Sequence, residues 1–270
     1  MENKITSLAG AVSLVKDGDT LALGGITLYR RPSAFARALI NRPTPPKDLT
    51  LLCFTAGYES DILIGAGMVS RIRTCYCGLE GFGFAPNFTQ KVQSGDLKII
   101  EESEASLAHG IRAHLAGVSF MPGLGWLGTD MLKLRPDVKV IDDPYNPDEK
   151  VVAFPAISWD VAVIHALKAD PSGNALLNGN LGVDPELAIG ARDVIVTAEE
   201  IVEKFNQPVQ IAGVMVRAVV HAPQGAWPTS CYPLYPLAGG ELLRYIDVCN
   251  SEGFEAYIKD TAGTDSIPST

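Results

Sequence analysis

Long apolar runs are missing from this 270-residue chain: nothing approaches the ~20 residues that cross a bilayer, and the opening Met1-Glu2-Asn3-Lys4-Ile5 lacks a signal-peptide core. No membrane partner is expected, and the expected location is cytoplasmic. Cysteines are few and odd in number. Cys53, Cys75, Cys77, Cys231 and Cys249 form no CxxC pair, in a chain long enough to build a core without disulfide staples. Of the four histidines, His109 and His114 stand five apart and miss the i, i+4 spacing of a helical zinc pair, so no metal is expected. Also missing are a GxSxG elbow, a Walker lysine motif, and a GxGxxG placed between strand and helix, which disfavours serine hydrolase, P-loop and nicotinamide chemistry. Positive charge is in deficit. With 22 basic against 31 acidic residues, net charge −9 and a pI near 4.9, the summed field disfavours nucleic acid as a partner.

What is present is an ordinary globular composition, 47% hydrophobic and 20% charged, carrying a regular alternation of elements. Ile5, Leu8, Val12 and Val15 mark one face of a first helix, which ends at the Asp17-Gly18 turn. A strand from Thr20 to Leu23 follows, then Gly24-Gly25, then a helix whose apolar face is Phe35, Ala36, Leu39 and Ile40. The pattern repeats through strands at Leu49 to Phe54, Arg71 to Cys77 and Leu97 to Ile100, with helices at Asp61 to Met68 and Pro86 to Ser94. Ser103 is a suitable N-cap for the next helix, before Val118 to Phe120 extends again. Met121 to Pro147, rich in Gly, Pro and Asp, is expected as one long loop, serving as a lid, a partner-binding segment or a plain excursion. Beyond it are expected strands at Val151 to Phe154, Val161 to His165, Val194 to Val196 and Ala218 to His221. Helices are expected from Asp184, from Ala198 or Glu199, and from Gly240 to Lys259 with a break at Gly253, before a solvated tail at 260–270. Strands alternating with helices predict an α/β fold: an open, mostly parallel sheet with helices on both faces, in one domain over residues 1–270.

In such sheets ligands bind beyond the carboxyl ends of the strands, which makes Gly24 and Gly25 the first candidates for a site. Glycine there would let backbone N–H groups approach a ligand. Arg30 and Arg31 are the nearest cations, suited to a phosphate or carboxylate, or else to a solvated helix entry. Glu101, Glu102 and Glu104 close a strand and open a helix, where the helix dipole alone favours carboxylates. Glu104, one position past the expected N-cap, is the candidate nucleophile or general base among them. Glu80, among the glycines of Gly78-Leu79-Glu80-Gly81-Phe82-Gly83, is the other candidate carboxylate. Asn174 could offer its amide to a substrate or serve its own turn, and Gly225 to Tyr232 reads as a packed interface segment.

In order, Val15-Lys16-Asp17-Gly18-Asp19-Thr20 with Gly24-Gly25, Arg30-Arg31-Pro32, Ile164-His165-Ala166 through Gly173-Asn174-Ala175, Val194 to Val202, and Val219 to Cys231 resemble the α (A) subunit of family I CoA-transferases, the glutaconate CoA-transferase-like branch. The resemblance implies a CoA-transferase-like fold and a homologous β (B) subunit sharing the site. It also implies acyl-CoA and carboxylic acid substrates, with coenzyme A as substrate and no metal or redox cofactor. In that family a β-subunit glutamate attacks the acyl-CoA thioester, giving an acyl-glutamyl anhydride and then an enzyme-CoA thioester. Gly24 and Gly25 would line that site, with their N–H groups on the thioester oxygen or the CoA, and Arg30 or Arg31 would hold an anionic group. A related group of hydrolases opens a ring of a CoA-linked steroid breakdown intermediate with an α-subunit glutamate, and Glu101-Glu102-Ser103-Glu104 before Leu107 and Gly110 matches it at Glu104.

Overall fold

A computed structural model describes residues 2–249 and 253–262. Its first half runs α1 (Leu8–Val12), β1 (Thr20–Leu23), α2 (Ser33–Ile40), β2 (Leu49–Leu52), α3 (Tyr58–Gly65), β3 (Val69–Thr74), α4 (Pro86–Ser94), β4 (Lys98–Glu101) and α5 (Glu104–Leu115). An excursion follows, of β5 (Phe120–Gly123), α6 (Met131–Leu134), β6 (Lys139–Asp142) and β7 (Lys150–Pro155). The chain then returns through β8 (Val161–Ala169), β9 (Ala175–Leu176), α7 (Asp184–Gly190), β10 (Asp193–Ile201), β11 (Val216–His221), α8 (Gly239–Cys249) and α9 (Phe254–Ala262).

The main sheet has the order β11-β10-β8-β1-β2-β3-β4, all parallel, with the short β9 antiparallel to β8. Period-two alternation assigns the two faces. Leu21, Leu23, Val161, Val163 and Ile195 face the larger core under α1, α2, α3, α8 and α9. Ala22, Ala162, Ile164, Val194 and Val196 face the other core, with Leu107 and Ile111 of α5 and Leu187 of α7. Both faces are covered, as expected for a parallel sheet.

Three expectations need correction. The stretch expected as a loop, Met121 to Pro147, folds with β7 into a separate antiparallel sheet of order β5-β7-β6. The segment at Val118 to Phe120 therefore leads into that sheet instead of extending the main one. Turn-forming residues concealed the two short strands, and the small core of Trp126, Val138, Val152 and Phe154 is assembled from positions far apart in sequence. Second, no helix starts at Ala198 or Glu199. There β10 continues to Ile201, because Ala198, Glu200 and Ile201 keep pairing with Ala166, Lys168 and Ala169 of the extended β8, and Glu200 meets Lys168 across the strands at 2.7 Å. Ladder pairing overrides the helix preference of the two glutamates. Third, Cys75 and Cys77 lie just beyond β3 rather than in it. The expected tail at 260–270 begins inside α9, and residues 263–270 lie outside the described residues.

Ser103 caps α5 as expected, its Oγ accepting the Ser106 N–H at 3.2 Å. A second cap comes from a distance. The buried Asp61 of α3 accepts the N–H groups of Asn87 (3.2 Å) and Phe88 (2.7 Å) at the start of α4, and the Tyr245 hydroxyl of α8 at 2.5 Å. Burial, opposed by these hydrogen bonds, pushes the Asp61 carboxyl up to about 6.

A carboxyl raised above its unfolded value of about 3.9 binds a proton more readily when folded. Its stabilising effect is complete below the unfolded value and is lost as pH rises through about 6. Relative to Asp61→Asn, the wild type should therefore lose up to roughly 3 kcal/mol between pH 4 and 7. Denaturant unfolding of both proteins across that range measures it; a difference that does not vary with pH contradicts the assignment.

Candidate active site at the carboxyl edge of the sheet

The parallel strands put the ends of β1, β2, β3 and β4 side by side on one edge, about 5 Å apart strand to strand. Gly24-Gly25 follows β1, Thr55-Ala56-Gly57 follows β2, Cys75 to Glu80 follows β3, and Glu102 to Glu104 follows β4. Pairing resumes beyond the named strands at an isolated Ala56–Cys77 bridge. Among the described residues five non-glycine positions have positive φ, and four of them, Thr27, Arg30, Glu80 and Gln224, follow strand ends on this edge. Such conformations cost energy and persist where surrounding structure holds them, a distribution typical of functional edges.

The strand order turns at β1, whose neighbours are β2 on one side and β8 on the other. This switch point is the usual ligand crevice of an open α/β sheet, and here the protein fills it itself. Arg30, fully buried, donates from Nη1 to the His165 carbonyl (2.7 Å) and from Nη2 to the Asn180 carbonyl (3.1 Å), and lies 2.7 Å from Asp184. Arg31, also fully buried, donates to the carbonyls of Gly25 (2.8 Å) and Thr55 (3.0 Å) and pairs with Glu59. Burial would lower the Arg31 pKa, but the Glu59 carboxylate more than offsets it and the group is held above its ordinary value.

The glycines are equally committed. Gly24 N–H donates to the Val163 carbonyl and Gly25 N–H to Asp184 Oδ1, both at 2.9 Å. A Cβ on Gly24 would meet Asp184 Oδ1 at 2.8 Å, and one on Gly25, where φ is +81°, would meet the carbonyl oxygens of Tyr29 and Arg30 at 2.6 Å. Glycine is required here by the protein's own buried carboxylate and carbonyls, so the expectation of free N–H donors at Gly24 and Gly25 is corrected. For Arg30 and Arg31, neither guanidinium reaches the surface, and both tie the glycine loop to β8, α3 and α7. Asn174 is also engaged internally: its Nδ2 donates to Asp170 (2.8 Å) and its Oδ1 accepts the Gly213 N–H (2.9 Å).

The exposed carboxylates lie further along the edge. Glu80 sits at φ +52° in a one-turn helix, next to Gly81 and Gly83, where a Cβ would meet open space. Glu104 is exposed at the first position of α5. The Cys75 thiol beyond β3 is pushed up to about 11, chiefly by burial and secondly by the charge of Glu104. Between them, Glu102 is buried and structural. It accepts from Arg73 (2.5 Å), Arg135 (2.7 Å) and Ser106 (2.5 Å), so the excursion, β3 and α5 meet on one carboxylate. Trp126, within the misplaced GxGxxG spacing of Gly123 to Gly128, donates to Ser103 Oγ at 2.8 Å and packs that loop against the start of α5.

Behind the glycine loop lies a network the sequence did not single out. Glu199 accepts from His165 Nε2 (2.7 Å), the Gln224 N–H (2.5 Å) and the Tyr235 hydroxyl, while His165 Nδ1 meets Thr197 Oγ1 at 2.8 Å. Burial pushes Glu199 up, but these hydrogen bonds hold it below the usual carboxylate range. Burial and the charge of Glu199 push Cys231 up to about 12. One donor atom each of His165, Glu199 and Cys231 falls within 4.8 Å of the others. Both ring nitrogens and both carboxylate oxygens of the set are already hydrogen-bonded within the protein, the arrangement of a structural network. Its members come from β8, β10 and the segment after β11, and only the strand pairing brings them together.

Residues 5–222 match the coenzyme A transferase family, and the chain belongs to it. It is 36% identical to the A subunit of the 3-oxoadipate CoA-transferase of Pseudomonas knackmussii, over 87% of this chain and 84% of that one. It is 34% identical to the A subunit of the glutaconate CoA-transferase of Acidaminococcus fermentans, over 96% and 87%. The crystal structure of that glutaconate enzyme superposes with a TM-score of 0.89, covering 95% of this chain and 88% of that chain. A cholesterol ring-cleaving hydrolase IpdA subunit of Rhodococcus jostii is 30% identical over 83% and 79%.

Arg31→Gln should cost about 3–5 kcal/mol of stability, because it leaves Glu59 buried without its cation. Urea unfolding checks this. Unchanged stability together with weakened ligand binding would make Arg31 a ligand contact.

Proposed function

We propose that this chain is the α (A) subunit of a two-subunit CoA-transferase that moves CoA from an acyl-CoA to a carboxylic acid. The observation that carries the reading is that the 3-oxoadipate and glutaconate relatives, each more than 30% identical, are A subunits of CoA-transferases and align over most of their length. The acids in their names, 3-oxoadipate and glutaconate, are both dicarboxylates, and that is the substrate class proposed. The nucleophile is a glutamate of the partner. It attacks the thioester carbonyl and expels CoA thiolate, leaving an acyl-glutamyl anhydride; the thiolate then attacks the glutamyl carbonyl and releases the first acid. The acceptor carboxylate reverses the sequence on the new acyl group.

In this reading Gly24, Gly25, Arg30 and Arg31 shape the floor of the site, and Glu80 and Glu104 border the substrate. The guanidinium groups of Arg30, Arg31, Arg73 and Arg135 each already face a carboxylate of this chain. None of these four guanidinium groups is therefore offered as the cation for the distal carboxylate or for the CoA phosphates. A second reading is favoured by the exposure of Glu104 at the start of α5: a CoA-thioester ring-opening hydrolase in which Glu104 activates water.

The complex of this chain with its partner, given acyl-CoA with and without an acceptor acid, separates the two. The transferase reading expects acceptor-dependent formation of a new CoA thioester, retained within ten-fold by Glu104→Gln, and no activity from the isolated chain. Acceptor-independent hydrolysis that falls at least a hundred-fold in Glu104→Gln would replace it with the second reading.

A further inference from the structure

We propose that Glu199 is a positioning residue for the reaction, setting the conformation of the Gly24–Arg31 loop from behind through two routes. Its kinetic consequence rests on the transferase reading; its structural consequence does not.

The carboxylate lies past the point where β1 ends, on the part of β10 that pairs with the extension of β8. Glu199 meets His165 Nε2 and the Thr197 hydroxyl meets Nδ1, so both ring nitrogens are held. That fixes the His165 side chain, and the His165 carbonyl takes the Arg30 guanidinium at 2.7 Å. Arg30 in turn pairs with Asp184, the acceptor of the Gly25 N–H. This is the first route.

The second route runs through the segment after β11. Glu199 accepts the N–H of Gln224, which is held at φ +53°, and the hydroxyl of Tyr235, whose oxygen accepts the Ala226 N–H at 3.1 Å. Both ends of the segment are thus fastened to one carboxylate. Its middle is zipped to the glycine loop: Ser230 N–H donates to the Leu28 carbonyl (2.9 Å), and Arg30 N–H to the Ser230 carbonyl (2.7 Å). Ala34 N–H donates to the Gly225 carbonyl (2.8 Å) and Ser33 Oγ to the Ala226 carbonyl (3.0 Å), which fixes the start of α2. Arg30, itself at φ +54°, is gripped from both sides. The Glu199 side chain is itself largely buried and reaches the glycine loop only through these contacts.

The test uses Glu199→Gln in the complex of the full chain with its partner, read by amide hydrogen exchange and steady-state kinetics. Glutamine keeps the size but turns an NH₂ toward one or two of the three donors. Exchange at residues 25–31 and 224–231 is expected to quicken at least ten-fold with β1, β2 and β8 unchanged. CoA transfer should lose ten- to hundred-fold in kcat, with KM for the acyl-CoA within three-fold. Should Glu199→Gln fail to fold, Tyr235→Phe, which removes one of the three bonds, is expected to shift the same readouts in the same direction by a smaller factor. Wild-type exchange in both loops overturns the proposal. So does an even rise across the sheet with kcat per folded complex unchanged, which is a merely structural role. If the wild-type complex transfers no CoA, the transferase reading fails and the exchange measurement still decides the role of Glu199.

Discussion

Two consecutive arginines buried beside the end of β1 are the constraint on which the rest of this edge depends. An unpaired guanidinium in a protein interior is prohibitively costly, and each pair must recover its desolvation through geometry. Arg30 therefore needs Asp184 at the start of α7, and Arg31 needs Glu59 near the start of α3. Their Nη donors also take carbonyls of His165, Asn180, Gly25 and Thr55, while each Nε is left without a hydrogen-bond partner. Helices on opposite faces of the sheet are thereby locked to the same loop. The glycines follow: Asp184 can reach the Gly25 N–H only where no side chain intervenes.

The consequence for chemistry is a division of labour along the edge. At the switch point, where a ligand would ordinarily bind, the chain is dense and internally neutralised. Toward β3 and β4 it opens, and there Glu80 and Glu104 are exposed. Glu102 between them fastens the excursion to the main sheet through Arg135 and Arg73. With Arg30, Arg31, Arg73 and Arg135 paired to its own carboxylates, the chain presents a preformed edge, which suits the proposal that a partner brings the attacking group.

Much of the fold was legible because its signals are local. The i, i+3, i+4 faces of α2 and α5, the cap at Ser103 and the apolar runs of β1, β2 and β8 all mark parallel α/β structure. What escaped depends on distance. The β5-β7-β6 sheet holds together through Trp126 and Phe154, which no short window connects, and the end of β10 is a strand only because β8 lies beside it. Gly24, Gly25, Arg30 and Arg31 were read as candidate ligand contacts, and Asn174 as either a ligand contact or a turn residue; all five are bonded inward. A sequence shows that a glycine or arginine stands after a strand, not that Asp184, some 150 residues on, turns it inward. His165 and Glu199 sat inside motif-bearing segments, yet their pairing became visible only with the strand register.

The most direct test of the central claim, that this chain frames the thioester site while its partner supplies the carboxylate, is the intact mass of both polypeptides once the complex has been incubated with acyl-CoA and quenched in acid. The expected result is a CoA thioester adduct on the partner, with an unmodified mass for this chain. An adduct on this chain, mapped by peptide sequencing to Glu80 or Glu104, would contradict it.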